Sequence, residues 1–409
     1  MTRLDPKRES WMDAPKTRRI MDALGEARFV GGAVRNALLR RPVDEIDIAT
    51  PLVPDEVMTR LKAAGIDFVP TGLEHGTVTA LVEAKPFEIT TLRRDVSTDG
   101  RRAVVAFTQD WAEDARRRDF TMNALFASAD GEVFDFVGGV ADLNAGHVRF
   151  VGDPATRIRE DYLRILRLFR FHAWYGKGEV DPAALRAVSA EKAGLSKLSG
   201  ERVHRELLKL LAADDPIPAL RCMAAVSVLS EILPGAASLA RLERLVAIDS
   251  RNFFAPDPLL RLAALLPPDA NVANQVGDRL KFSNAERDRL ADLAGAHEKI
   301  VSYLSVREVR KLLYHLGQQR FRDRVFLRWA EDPKDNTIAW RAMLAVADAW
   351  QRPQFPLTGR DVIAAGVPQG PLVGTILSEV EAWWVDSDFT DDQFSLAERL
   401  KAVVQATAY

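Results

Sequence analysis

The chain has 409 residues, more than one ordinary core accommodates, so two to four domains are expected at roughly 100–200 residues each. A hydrophobic fraction of 47 % with 28 % charged residues excludes a disordered, collagenous or coiled-coil chain, and the single cysteine, Cys222, excludes a disulfide framework and a cysteine-rich zinc site. The 56 basic and 58 acidic side chains nearly cancel, so any polyanion must be met by local surfaces: 151–200 and 301–350 each hold nine basic against six acidic groups, and 351–409 four against eight. No run of about 18 apolar residues offers a membrane span. The opening MTRLDPKRESWMDAPKTRR carries no apolar signal core, and a cytoplasmic chain is expected.

To about residue 150, short β-rich runs alternate with helical ones. Phe29-Val30 runs into Gly31-Gly32, and helical periodicity follows over Ala33–Leu39. Glu45-Ile46-Asp47-Ile48-Ala49 alternates polar and apolar residues, the pattern of a half-buried strand. Pro54 opens a helix to Ala64, and Gly76–Val82 and Phe87–Leu92 form a hairpin around Glu83-Ala84-Lys85-Pro86. Beyond residue 150 the strand signals fade. Helices are predicted over Ile158–His172, Glu201–Ala212, Leu239–Ile248, Pro258–Leu266, Ala285–Ala296 and Val306–Leu316, with joints at the prolines of 216–218 and 351–356.

Three local patterns carry chemistry. A Gly-Gly pair between strand and helix lets the backbone approach a phosphate, with Arg35 one turn further able to add a charge-assisted contact; a simple turn has the same sequence. Glu45 and Asp47, two apart on a strand, project from one face, where their repulsion calls for a cation unless the face is merely solvated. Glu88, on the opposite side of its strand from Phe87 and Ile89, reaches the same site if the two strands share a sheet, and is an edge charge otherwise. The triplet Arg116–Arg118 before Asp119 also fits an ordinary helix start.

In combination these segments resemble the class II tRNA nucleotidyltransferase and bacterial poly(A) polymerase family. The resemblance rests on Gly31-Gly32-Ala33-Val34-Arg35, Glu45-Ile46-Asp47, Arg117-Arg118-Asp119-Phe120-Thr121-Met122-Asn123-Ala124, Asp135-Phe136-Val137-Gly138-Gly139, and Arg157 through Arg167 with Glu160-Asp161-Tyr162-Leu163-Arg164 at its centre. It is dense over 28–210 and thinner beyond.

The resemblance implies an α+β protein with an N-terminal, polymerase-beta-like nucleotidyltransferase head built on a central mixed sheet (1–148), then an all-helical neck (149–215), body (216–350) and RNA-binding tail (351–409). The implied activity is template-independent addition of C, C and A to the tRNA 3′ end from CTP and ATP with Mg²⁺; a poly(A) polymerase or a partial, CC- or A-adding enzyme is the alternative. Glu45 and Asp47 become the metal ligands, with Glu88 a third catalytic acid. Gly31, Gly32, Arg35, Arg117, Arg118, Asp119 and Asn123 become nucleotide contacts.

Base selection falls to Asp161 and Arg164, three apart on one predicted helix face, with Arg167 and Arg170 continuing at the same step and Leu163, Leu166 and Phe169 packing on another side. An aspartate accepts from the exocyclic amino group of cytosine or adenine, and uracil has none. The stretch from Arg93 to Arg102 reads as a mobile loop of full length, which in this family favours complete CCA addition.

Two residues depart from the family pattern: Glu45 where Asp is usual, and Asn36 where Asp commonly follows the arginine. None of His75, His147, His172, His204, His297 or His315 precedes an Asp, so no appended phosphohydrolase is expected. A second basic stretch carries Arg307, Arg310, Lys311, Arg320, Arg322, Arg324 and Arg328, either a surface for the tRNA acceptor arm or a solvated helix face. The sequence specifies no protein partner.

Overall fold

Short strands and proline- or aspartate-started helices organise the first half of the chain. The computed structural model describes residues 2–99, 102–235, 239–295, 298–334, 336–390 and 392–407, with the backbone alone for 95–99 and 102–105. Gly100 and Arg101 of the expected loop, Ala296 of an expected helix, and His297 lie outside the described residues. Two compact units result, Met1–Ala236 with Asp278–Phe282, and Ala237–Gly277 with Ser283–Tyr409. The expected head and neck fall inside the first, the expected tail inside the second.

The first unit holds β1 (Arg28–Val30), β2 (Asp47–Thr50), β3 (Asp67–Gly72), β4 (Thr77–Val82), β5 (Lys85–Thr91), β6 (Arg93–Asp99), β7 (Arg102–Phe107), β8 (Leu125–Ala127) and β9 (Val133–Asp135). Its helices are α1 (Ser10–Asp13), α2 (Pro15–Leu24), α3 (Gly32–Leu38), α4 (Pro54–Ala63), α5 (Trp111–Arg116), α6 (Gly139–Ala145), α7 (Pro154–Glu160), α8 (Leu163–Tyr175), α9 (Pro182–Glu191), α10 (Gly200–Leu211), α11 (Ile217–Ala225) and α12 (Val228–Ile232). A seven-stranded sheet runs β3-β4-β5-β2-β1-β8-β9, and β6 and β7 form a separate ribbon. Only β2 and β5 pair in parallel among the described strands, so the sheet is mixed, as expected.

Register places the chemistry. Asp47 stands opposite Val30 of β1 on one side and Glu88 of β5 on the other. Beneath lies an apolar core of Val30, Ala49, Leu92, Trp111, Ala115, Ala124, Phe126 and Val151. At about 25 cal/mol per Å² of buried apolar surface, such side chains anchor the sheet that carries the site. Strand β2 begins at Asp47, two residues later than expected, so Glu45 sits in the segment leading into it. The hairpin turn is tighter than expected: Glu83 and Ala84, both at positive φ, form the whole two-residue loop, and Lys85 and Pro86 already belong to β5.

Two expectations are corrected. The stretch after Arg93 is not an open loop but the ribbon β6–β7, in register from Arg93 opposite Phe107 to Asp99 opposite Arg102. Its β-branched Val96, Thr98, Val104 and Val105 favour extended backbone, and its base is clamped where Thr108 N–H donates to the Leu92 carbonyl at 2.9 Å. The predicted helix over Ile158–His172 is two helices, α7 and α8, broken at Asp161. Asp161 is extended (φ −155°, ψ 107°), and its carboxylate accepts the Leu163 N–H at 3.1 Å, a local bond that competes with continuing the helix.

The second unit is helical throughout its described residues: α13 (Leu239–Asn252), α14 (Pro258–Leu265), α15 (Ala270–Arg279, its last two residues in the first unit), α16 (Asn284–Ala294), α17 (Val306–Leu316), α18 (Gln318–Glu331), α19 (Thr337–Ala349), α20 (Gly359–Ala364), α21 (Pro371–Asp386) and α22 (Gln393–Thr407). Capping boxes Ser283/Glu286 and Ser305/Glu308 start α16 and α17, satisfying amide groups that a helix leaves orphaned. Among the described residues no helix is long and apolar enough to cross a membrane.

Candidate active site

The site is assembled at the centre of the sheet, where β2 lies between β1 and β5. Gly31 ends β1 at φ +68°, a conformation that disfavours any residue with a Cβ, and its N–H donates to the Leu125 carbonyl at 3.0 Å. A Cβ at Gly31 would stand 3.8 Å from Arg118 Nη1, and one at Gly32 would stand 3.7 Å from Arg35 Nη2. The two glycines thus each face a guanidinium group, Gly31 that of Arg118 and Gly32 that of Arg35. The simple-turn reading of this pair does not account for those two cations.

Glu45, Asp47 and Glu88 supply negative charge to the same region. Burial, the Glu88 charge and the Glu45 charge together push the Asp47 carboxyl up to about 6, with Arg118 opposing. Glu88 thus shares the sheet with Asp47 rather than sitting on an edge strand. Among the described residues no group of three His, Cys, Asp or Glu converges closely enough to chelate a metal alone. A carboxylate pair nonetheless suits Mg²⁺, which commonly takes one or two protein carboxylates and draws its remaining oxygens from water and substrate phosphates. The uncompensated charge at Asp47 is the observation that fits a cation there.

Asp114, at 1 % exposure, organises the basic motif. It accepts from Arg117 Nε at 2.8 Å and from Arg118 Nε and Nη2 at 3.0 and 2.8 Å. Burial lowers the Arg117 guanidinium to about 10 in spite of this partner. The motif closes α5 instead of opening a helix, which overturns the helix-start reading of Arg116–Arg118. Asp119 then turns inward. Burial would raise its carboxyl, but Arg167 and the N–H groups of Asn123 and Phe120 outweigh burial and hold it at about 2. Arg167 Nε lies 2.7 Å from Asp119 Oδ2, tying the expected neck to the head. Gly139 lets this segment pack closely: a Cβ there would fall 2.2 Å from the Thr121 carbonyl oxygen.

The base-selection residues do not occupy one helix face, correcting the expected geometry. Asp161 lies in the break and pairs through Oδ2 with Arg202 of α10 at 2.7 Å. Arg164, in the first turn of α8, pairs with Glu160 and donates to the Arg157 carbonyl at 2.8 Å. No Asp161–Arg164 ion pair forms, because each already has another partner. Arg170 Nε reaches Glu206 at 2.5 Å, and Arg167 Nη1 approaches the same carboxylate at 3.6 Å. Leu163, Leu166 and Phe169 are buried as expected.

Sequence reasoning passed over Asp114, Tyr175, Arg202 and Glu206. Asp114 was readable, standing three and four residues before the two arginines on a helix. The other three offered no local signal, since their partners lie 36 to 140 residues away.

The second basic stretch is internally neutralised. Arg310 pairs with Asp388 at 2.9 Å, Lys311 with Asp386, Arg320 with Asp292, Arg322 with Asp348, and Arg324 with both Asp292 (3.0 Å) and Glu298 (2.6 Å). Arg307 is exposed and forms no ion pair among the described residues.

A mixed sheet carrying acidic side chains on its central strands, a glycine turn facing two arginines, and a helical module bonded to that head define a nucleotidyltransferase. Residues 27–149 match the family model described as Poly A polymerase head domain, and 179–239 match that described as Probable RNA and SrmB-binding site of polymerase A. The chain is 34 % identical to CCA tRNA nucleotidyltransferase 1, mitochondrial, of Mus musculus, with 92 % of this chain and 86 % of that protein covered. It is 31 % identical to the CCA-adding enzyme of Lactobacillus gasseri, covering 94 % and 96 %. The Bacillus stearothermophilus CCA-adding enzyme in complex with CTP superposes with a TM-score of 0.77 at 26 % identity, covering 96 % of this chain and 99 % of that one. The Thermotoga maritima CCA-adding enzyme complexed with tRNA shares the fold at a TM-score of 0.67 and 20 % identity, covering 99 % and 97 %. The chain belongs to the tRNA nucleotidyltransferase and poly(A) polymerase family, within which these relatives are CCA-adding enzymes.

Proposed function

We propose that the protein adds C, C and A to the 3′ end of tRNA from CTP and ATP, without a nucleic-acid template. The carrying observation is the crowding of Glu45 and Glu88 on Asp47, within electrostatic reach of Arg118. Glu45 and Asp47 are suited to hold Mg²⁺, which when bound polarises phosphoryl oxygens and offsets developing charge. Arg35, Arg117 and Arg118 hold the triphosphate, with Gly31 and Gly32 leaving room for it. The tRNA 3′-hydroxyl attacks the α-phosphorus, an O–P bond forms as the bond to pyrophosphate breaks, and Glu88 receives the hydroxyl proton.

Asp119 and Asn123 orient the nucleotide, while Asp161 and Arg164 read the base edge. Arg202 and Glu160 hold those two side chains in fixed positions, which supports selection without a template: preformed partners remove the freedom to accommodate uracil. Arg167 and Arg170, tied to Asp119 and Glu206, brace the same pocket.

Residues 149–215 then act as neck, 216–350 as body and 351–409 as an RNA-binding tail. RNA contact by Arg310, Lys311, Arg320, Arg322 and Arg324 requires each to exchange or share a carboxylate with a phosphate; Arg307 needs no exchange. The free thiol of Cys222 suits a reducing compartment, the cytoplasm in this reading.

Purified protein given tRNA that ends before CCA tests the assignment. CTP alone is expected to extend the RNA by two residues, and CTP with ATP by three. Incorporation of AMP but never CMP overturns it in favour of a poly(A) polymerase or A-adding enzyme.

A further inference from the structure

Arg35 is 7 % exposed, and burial lowers its guanidinium below the usual arginine range. Its hydrogen-bond partners are all neutral: Asn123 Oδ1, Asn36 Oδ1 (3.2 Å from Nε and 3.1 Å from Nη2) and the Tyr175 hydroxyl (2.8 Å from Nη2). The charges that act on it without a hydrogen bond are Asp119, which favours the charged form, and Arg170, which opposes it; with no carboxylate bonded to the guanidinium, its N–H groups remain available to an incoming anion.

Tyr175 closes this arrangement from the last turn of α8. Its hydroxyl accepts from Arg35 and, at 3.2 Å, donates to Asn36 Oδ1, so both capacities of the group are used. Its ring lies 4.2 Å from the Arg35 guanidinium carbon and 4.9 Å from that of Arg41. Asn36 is oriented by its other end, since Nδ2 donates to the Pro42 carbonyl at 2.9 Å. An aspartate at 36, usual in the family, would set a carboxylate oxygen against that carbonyl and would also neutralise Arg35. The amide does neither, and it pins the segment that leads to Glu45.

We propose that Tyr175 and Asn36 are positioning residues for the triphosphate: together they aim the Arg35 guanidinium without bonding a carboxylate to it, so that nucleotide affinity depends on the neck helix as well as the head. The inference rests on the nucleotidyltransferase reading above. Because the triphosphate is common to CTP and ATP, the effect must be blind to the base.

Tyr175→Phe keeps the ring and removes the hydroxyl. Expected is a rise of about tenfold in KM for CTP and ATP alike, with kcat within about twofold and KM for tRNA unchanged, as for one lost hydrogen bond to a charged group. The inhibition constant of inorganic tripolyphosphate should rise by the same factor. Asn36→Asp should weaken tripolyphosphate at least as much, by adding an anion beside Arg35. Unequal changes for CTP and ATP, or an unchanged tripolyphosphate constant in Tyr175→Phe, overturn the proposal. Should the wild type incorporate neither nucleotide, the function reading fails by itself, and calorimetric binding of tripolyphosphate to wild type and Tyr175→Phe still decides this one: equal affinities reject it, weaker binding by the variant supports it.

Discussion

Asp47 and Glu88 face one another across the parallel pairing of β2 and β5, an arrangement that sets two negative side chains in register on central strands of the sheet. Burial and this neighbour hold the Asp47 carboxyl at about 6. Between its ordinary value near 3.8 and about 6, the folded protein binds a proton that the unfolded chain releases. The contribution of Asp47 to stability therefore declines as pH rises through that window and is least above it.

Asp47→Asn should consequently stabilise the metal-free protein at pH 7.5 while abolishing catalysis. Solvent screening limits the gain, and a rise of about 2 °C in Tm is expected. The difference between variant and wild type should shrink as pH falls from 6 to 4. Millimolar Mg²⁺ should narrow it too, by stabilising only the wild type. Nucleotide incorporation should drop by about 10³-fold, in keeping with the several kcal/mol that a catalytic metal supplies. Calorimetry with and without Mg²⁺, beside a primer-extension assay, measures all of these.

Glu88→Gln removes the neighbouring charge but keeps the shape. With that repulsion gone, Asp47 should lose its proton at lower pH, and the acid limb of the residual activity should move down accordingly. As the proposed proton acceptor is also lost, kcat should fall by about 10²-fold across the whole range. Rate profiles between pH 5 and 8 separate the two effects.

Arg202→Ala leaves Asp161 without its 2.7 Å partner at the helix break. Asp161 then gains rotameric freedom, and base selection should loosen before stability suffers. Misincorporation of UMP relative to CMP is expected to rise by about tenfold, the worth of one charge-assisted hydrogen bond. Competition assays with mixed nucleoside triphosphates read it directly.

Arg307 and Arg324 should behave oppositely although they lie in the same basic stretch. Arg307→Ala is expected to weaken tRNA binding and reduce the slope of log affinity against log salt by about 1, with Tm unchanged. Arg324 is 5 % exposed and paired with Asp292 and Glu298. Arg324→Ala should lower the stability of its unit by about 2 kcal/mol, since two carboxylates lose a buried partner. Filter binding at several salt concentrations and thermal melts test the pair.

Much of the site was legible because its motifs are local. Gly31-Gly32, Arg35, Asp47 and Arg117-Arg118-Asp119 each declare themselves within a few residues, as turn geometry, strand register and helix ends are decided at that range. The break at Asp161 was not legible, because Leu163, Leu166 and Phe169 keep helical spacing straight through it; a side-chain bond to the Leu163 N–H outweighed periodicity. The ribbon at 93–107 was missed for the opposite reason, as a charged segment with Gly100 mimics a loop until its two halves pair.

The near balance of 56 basic and 58 acidic residues sets the division between the two sources of information. By itself the sequence determines that the charge is sorted along the chain, that a sheet precedes helices, and that the residues of a nucleotidyltransferase are present in order. Only the tertiary structure decides which charges cancel. Arg310, Arg320 and Arg324 turn out to be compensated by acids distant in sequence, while Arg35 is buried with neutral hydrogen-bond partners alone. Ion pairing is a through-space interaction that falls off within a few ångströms, and spacing along the chain carries no record of it beyond one turn of helix.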